Sequence, residues 1–209
     1  MLQRLIIVIV AALSTSCASL SKEECQQADW YLIGLEDGAQ GYAVNRIGSH
    51  REACAKVGVT PDIGQYRAGL DEGYQRYCTP AKGYRVGQSG AQHQDVCSGE
   101  AAEAFNEAYS YGRDYYRLSQ TLSELDTQLS EYHKNLAELA DNTAYHEEQL
   151  VHHARNASER QQHLSAIKEI EQSIGNIQQA LVYAERERAV LARDLNVLAS
   201  EHRALGFNP

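Results

Sequence analysis

The stretch LSQTLSELDTQLSEYHKNLAEL, residues 118–139, decides how this chain is built. Its apolar positions Leu118, Leu122, Leu125, Leu129, Tyr132, Leu136 and Leu139 advance in alternating steps of four and three. That is a repeat of about 3.5 residues, the seam of a coiled coil. The phase thins over residues 140–162, where Thr143, His146, Leu150, His153, Ala157 and Arg160 occupy it. It returns at Leu164 and Ile167, slips by one three-residue step to Ile170, and then runs through Ile174, Ile177, Leu181, Ala184, Arg188, Leu191, Leu195, Leu198, His202 and Leu205. No proline falls between Pro80 and Pro209 to interrupt it. Such slips overwind a coiled coil locally without ending it.

One helix over this span would be roughly 130 Å long at about 1.5 Å per residue. A single apolar stripe on an isolated helix has nothing to cover it, so it must meet a partner. Either the chain folds back on itself or two chains pair along their length. Asp141-Asn142-Thr143 is a candidate turn, with Asn142 or Thr143 capping the returning helix, and Ser173-Ile174-Gly175-Asn176 is a second possible break. The expected arrangement is long helices with at least one reversal. The weak middle should be where the arm bends, reverses or exchanges with solvent fastest. His146, His152, His153 and His163 lie in or at the edge of this polar middle and read as polar helix residues partly at the seam.

The first half has a different texture. The full sequence holds 15 Gly and 13 Tyr but only 2 Phe, 1 Met and 1 Trp. A large aliphatic core is therefore not expected there. Glycines recur in a weak repeat: Trp30-x3-Gly34-x3-Gly38, Tyr66-x2-Gly69-x3-Gly73, and an echo in Tyr84-x2-Gly87-x2-Gly90. Glycines four apart share one helical face and let another backbone approach closely, at about 1 kcal/mol each relative to Ala. They read as packing faces, since neither G-x-x-x-x-G-K-[ST] nor G-x-G-x-x-G after an apolar strand is present. Thr60-Pro61-Asp62 opens a helix, with Thr60 as N-cap, expected to run to about Tyr77. Residues 81–91 read as irregular turns or a short hairpin.

The address lies at the start. Arg4 precedes nine consecutive apolar residues, Leu5–Leu13, and then Ser14-Thr15-Ser16-Cys17. Nine residues fall short of the about 20 a spanning helix needs, so residues 1–16 read as an export signal. The cysteine at the cleavage point resembles a bacterial lipobox, although Ser14 stands where an apolar residue is usual. The resemblance implies a diacylglyceryl thioether on Cys17. Ala18 after it, in place of Asp, follows the pattern that sorts lipoproteins to the outer membrane. Cys25, Cys54, Cys78 and Cys97 then remain, an even set suited to an oxidising compartment. Of three possible connectivities the consecutive one is expected, Cys25 with Cys54 and Cys78 with Cys97, closing the shortest loops.

The run His50-x3-Cys54-x3-Gly58-x2-Pro61-Asp62-x3-Tyr66-x2-Gly69-x3-Gly73-x3-Tyr77-Cys78-Thr79-Pro80 resembles a family of small bacterial lipoproteins, the domain of unknown function 2799 type. Asp29-Trp30-x3-Gly34-x2-Asp37-Gly38-x2-Gly41 before it, and Val96-Cys97 and Phe105-x3-Tyr109-x2-Gly112 after it, extend the resemblance over about residues 25–113. His93 and Ser98 depart from the family pattern. The resemblance supports export, lipidation and paired cysteines, and it implies no activity.

The resulting expectation is a mainly α protein: signal 1–16, lipidated tether 17–24, a small disulfide-stapled Gly/Tyr-rich helical head 25–113, and long coiled-coil helices 114–206. Its net charge of −9 suits no nucleic-acid backbone. No nucleophile elbow, H-E-x-x-H or paired-carboxylate signature nominates an enzyme. No cofactor is expected. His50-x3-Cys54 and His93-x3-Cys97 together form a possible tetrahedral zinc set, against which stands the oxidation of exported thiols. The function expected is that of a lipoprotein facing the periplasm from the outer membrane, structural or protein-binding through its coiled coil or self-associating. The alternative is a small-molecule or metal-binding head using His50, His93 and the Tyr/Gly-rich segment.

Overall fold

A computed structural model describes residues 20–209, so Cys17 and the residues 1–16 expected to be an export signal lie outside the described residues. No strand occurs among the described residues, and no helix there is long and apolar enough to cross a membrane. The chain forms two compact units, residues 20–79 with 93–105, and residues 80–92 with 106–209.

The first unit contains α1 (Lys22–Gln26), α2 (Trp30–Gln40), a 3-10 turn (Val44–Arg46), α3 (Ile47–Ala55) and α4 (Ile63–Tyr77). Ser21 and Glu24 start α1 with a reciprocal capping box, each side chain bonded to the other's backbone N–H. Asp29 caps α2 by accepting from the Leu32 N–H at 3.0 Å. The fourth helix begins later than the sequence suggests. Asp62, not Thr60, is its N-cap, because the Asp62 carboxylate accepts from both Gly64 and Gln65 N–H at 2.9 and 3.0 Å.

Helices α2 and α4 pack backbone against backbone. A Cβ placed on Gly34 would meet the Tyr66 carbonyl, one on Gly38 the Leu70 carbonyl, one on Gly69 the Tyr31 carbonyl, and one on Gly73 the Leu35 carbonyl. The glycine faces therefore do interlock, as their four-residue spacing predicts. Gly41 ends α2 in the left-handed region (φ 83°) with the Tyr77 ring where a side chain would be, so only glycine satisfies both demands. Beside this pair lies a small core of Cys25, Trp30, Cys54, Tyr66 and Leu70.

The second unit repeats the device. Residues 81–91 are not irregular: α5 (Pro80–Gln88) is a helix despite its glycines, and it packs on α6 (Gly99–Glu148). A Cβ on Gly87 would meet the Tyr109 carbonyl, one on Gly112 the Tyr84 carbonyl, and Gly90 (φ 76°) sits under the Tyr116 ring. These are the contacts of Gly38, Gly73 and Gly41, shifted by 49 residues along the first helix and 39 along the second. The repeat is thus one of helix pairs: α2 corresponds to α5, and α4 to the start of α6.

Beyond this pair, α6 and α7 (Ala157–Ala204) form an antiparallel hairpin whose seam holds Leu125, Leu129, Tyr132, Leu181, Ala184 and Leu191. Cross-helix partners fix the direction: Arg188 pairs with Asp126, and Tyr111 and Tyr115 lie against His202. The reversal is not at Asp141-Asn142-Thr143. Thr143 donates its hydroxyl to the Leu139 carbonyl within an unbroken helix, which continues to Glu148 and ends in a π turn, Gln149–His153. The chain leaves helical geometry at Ala154, and Asn156 caps α7 by accepting from Glu159 N–H at 2.9 Å. Gly175 lies inside α7 with open space around it and does not break the helix.

Candidate functional site

Four cysteines form two disulfides, Cys25–Cys54 and Cys78–Cys97, at Cα separations of 5.3 and 5.6 Å. The two differ in setting. Cys25 and Cys54 are 1 % and 0 % exposed in the core of the first unit, while Cys78 and Cys97 are both only partly covered. Cys78 and Cys97 form part of the wall of a cleft of about 260 Å³ shared with Asp71, Tyr74, Val96, Ser98 and Ala101.

The two histidines of the proposed zinc set are engaged separately. His50 Nε2 lies 2.7 Å from Asp37 Oδ2, and Tyr66 donates its hydroxyl to the same oxygen at 2.8 Å. His93 packs edge-on to Phe105 and lies 3.9 Å from the Asp95 carboxylate. With both cysteines oxidised, His50, Cys54, His93 and Cys97 do not converge on one tetrahedral site. No group of three or more His, Cys, Asp or Glu side chains disposed to hold a metal ion occurs among the described residues.

The Asp37–His50–Tyr66 network was not legible as a unit. Asp37 comes from the glycine face of α2, His50 from α3 and Tyr66 from α4, so folding alone brings them together. Burial, and next the hydrogen bond to Asp37, raise the Tyr66 hydroxyl well above the ordinary tyrosine value, which keeps it a donor. His50 is 2 % exposed with one nitrogen committed to Asp37, and its Nδ1 is buried without a protein partner, as is Arg46 Nε. This triad ties three helices together from within the buried core.

A second buried histidine closes the far end of α7. His202 is 2 % exposed, and its Nδ1 lies 3.0 Å from the Tyr84 hydroxyl of α5. After α7 the chain turns through Gly206, whose N–H bonds to Arg203 O, while Phe207 N–H bonds back to His202 O at 2.9 Å. This Schellman pattern delivers the Phe207 ring onto Tyr84, stacked at 4.5 Å with an interplanar angle of 2°. Burial lowers the His202 pKa below its ordinary value and raises that of Tyr84. The histidine is therefore held neutral, and it locks the end of α7 onto the glycine-faced pair.

The back of α7 carries a row of exposed apolar residues. Tyr183, Val190 and Val197 are 61 %, 46 % and 51 % exposed and recur every seven residues, with exposed Arg186 and Arg193 between them. At about 100° per residue this row lies on the side of α7 opposite the seam. The heptad reading identified the seam and passed over this row, although the same spacing announces it.

These features define an all-α, disulfide-bonded protein in which a glycine-faced helix pair occurs twice and is followed by an antiparallel helical hairpin. Residues 29–114 match the model of the family described as protein of unknown function (DUF2799). That segment holds both glycine-faced pairs and three of the four paired cysteines, with Cys25 just before it. No curated protein and no solved structure matches the chain.

Proposed function

We propose that this protein is an envelope lipoprotein, anchored in the outer membrane by an acylated Cys17 and facing the periplasm, whose helical hairpin is a docking element for a protein partner. The observation that carries the reading is the use of the heptad seam. Because α6 and α7 pack along the heptad seam, the coiled coil is spent inside the chain, and α7 keeps a separate exposed apolar row at seven-residue spacing, Tyr183, Val190 and Val197, with which to recruit a partner. Arg186 in that row, and Arg193 beyond its pairing with Asp194 at 3.1 Å, suit an α-helical protein surface with an apolar stripe flanked by carboxylates.

Anchoring at Cys17 would also position the first unit. Leu20 already packs against the Cys25–Cys54 core, and only Ala18 and Ser19 separate it from Cys17. At a maximum of roughly 3.5 Å per residue, the lipidated residue could stand no more than about 10 Å from Leu20. Two or more acyl chains anchor stably, whereas one binds marginally.

Two variants test the proposal. Cys17→Ala should release the protein into the soluble periplasmic fraction or leave an unprocessed precursor; processing and membrane retention of this variant would refute the anchor. A photo-cross-linking residue at Val190 in intact cells should give one discrete protein adduct, lost in Arg186→Glu/Arg193→Glu, with no such adduct from a probe at Gln178. Equal adducts from both positions would refute the docking row.

A further inference from the structure

The geometry points to the Cys78–Cys97 disulfide as a site of thiol–disulfide exchange with an external dithiol, such as the cysteine pair of a reducing oxidoreductase. Cys25–Cys54 serves as the inert staple. The two bonds sit in the same unit but differ in access. To reach Cys25 or Cys54 a thiolate must wait for the core containing Trp30, Tyr66 and Leu70 to open, because neither cysteine is more than 1 % exposed. Cys78 and Cys97 form part of the wall of the cleft, which can take an incoming cysteine side chain without unfolding. Exchange rates follow access to sulfur and the stability of the departing thiolate.

The helix ends on either side make the bond asymmetric. Cys78 is the C-cap residue of α4, its N–H bonded to Tyr74 O at 2.7 Å, and so it stands at the negative pole of that helix. Cys97 stands two residues before Gly99, the first residue of α6, at the positive pole. A thiolate is better stabilised at Cys97, so Cys97 is the leaving group and Cys78 the sulfur attacked.

The incoming thiolate bonds to Cys78 Sγ, the Cys78–Cys97 bond breaks, and its electron pair departs on Cys97 Sγ, which takes a proton from solvent. The second thiol of the reagent then attacks the reagent sulfur of the mixed disulfide and releases Cys78 as a thiolate. The dithiol is oxidised by two electrons and the protein disulfide is reduced by two. The segment between the cysteines, residues 79–96, is then held by packing and hydrogen bonds alone.

Timed exposure of the purified, folded protein to dithiothreitol at neutral pH, quenched with N-ethylmaleimide and read by peptide mass mapping, tests the inference. Cys78 and Cys97 should be labelled at least about tenfold faster than Cys25 and Cys54. Labelling of all four at one rate, or of Cys25 and Cys54 first, would overturn it. With glutathione as a monothiol probe, the mixed disulfide should be found on Cys78; its accumulation on Cys97 would overturn the assigned direction of attack.

Discussion

Replacing Gly69 by alanine probes the backbone contact on which the first unit is built. A Cβ added there lies 2.8 Å from both the Tyr31 carbonyl carbon and the Leu35 nitrogen, and closer still to the Tyr31 oxygen. Each distance must grow by more than half an ångström to reach ordinary van der Waals contact. Every obstructing atom is backbone, so no rotamer change can relieve the clash, and α2 and α4 must move apart. Overpacking of this kind costs about 1–3 kcal/mol, and with main chain on both sides the upper end applies. Against that, alanine recovers about 1 kcal/mol of helix propensity. The net loss is about 2 kcal/mol, which for a unit of this size lowers its melting temperature by about 8–16 °C. Gly175→Ala is the control: nothing lies within 4 Å of its Cβ, so only the propensity gain of about 1 kcal/mol remains and the hairpin is stabilised. Thermal unfolding followed by circular dichroism and calorimetry measures both variants. If Gly69→Ala melts at or above the parent temperature, the interlocked glycine faces are not what holds α2 to α4.

Stability should fall with acid through His202. Burial places its folded pKa below the ordinary 6.5, so the stability of the neutral, buried form is complete above about pH 6.5 and is lost as pH falls through the depressed folded value. Melting curves from pH 7.5 to pH 5 should show this loss, and His202→Gln should flatten it; an unchanged pH dependence in the variant would assign it elsewhere. Hydrogen exchange should be much faster for the Tyr145–Arg160 amides than for those around Leu125 and Leu191. The first stretch contains the π turn and the Ala154–Asn156 break, while the others flank buried seam residues. Uniform protection across the three stretches would mean that the tip is held by contacts other than its own helical hydrogen bonds.

Much of this architecture could be read without coordinates because it rests on local or periodic signals. A 3.5-residue repeat in Leu118–Leu139 and again in Ile170–Leu198 demands a covering partner, and α6 and α7 supply it for each other. An even set of four cysteines in one half yields two bonds. Glycines four apart announce a close helix contact. Even the place of reversal had a legible mark: Asn156-x2-Glu159 is a capping-box spacing, with Glu159 accepting from Arg155 N–H at 2.8 Å. The chosen turn at Asp141-Asn142-Thr143 failed because a threonine that bonds to its i−4 carbonyl is compatible with a continuing helix.

Tertiary structure alone decided the rest, wherever a long-range contact outweighs a local preference. Pro80–Gln88 has poor intrinsic helix propensity, and it is helical because Gly87 admits the Tyr109 carbonyl and Gly112 of α6 admits the Tyr84 carbonyl across the pair. Asp37, His50 and Tyr66 are separated by 13 and 16 residues along the chain, and no spacing rule couples an acid on a glycine face to a histidine on the next helix. Tyr84 meets His202 across 118 residues, and only the hairpin's return brings the two within hydrogen-bond distance. Periodicity is set by covalent order and helix geometry and so is written in the sequence. The identity of a buried polar partner depends on which helices have been brought into contact, and that is settled by the folded packing.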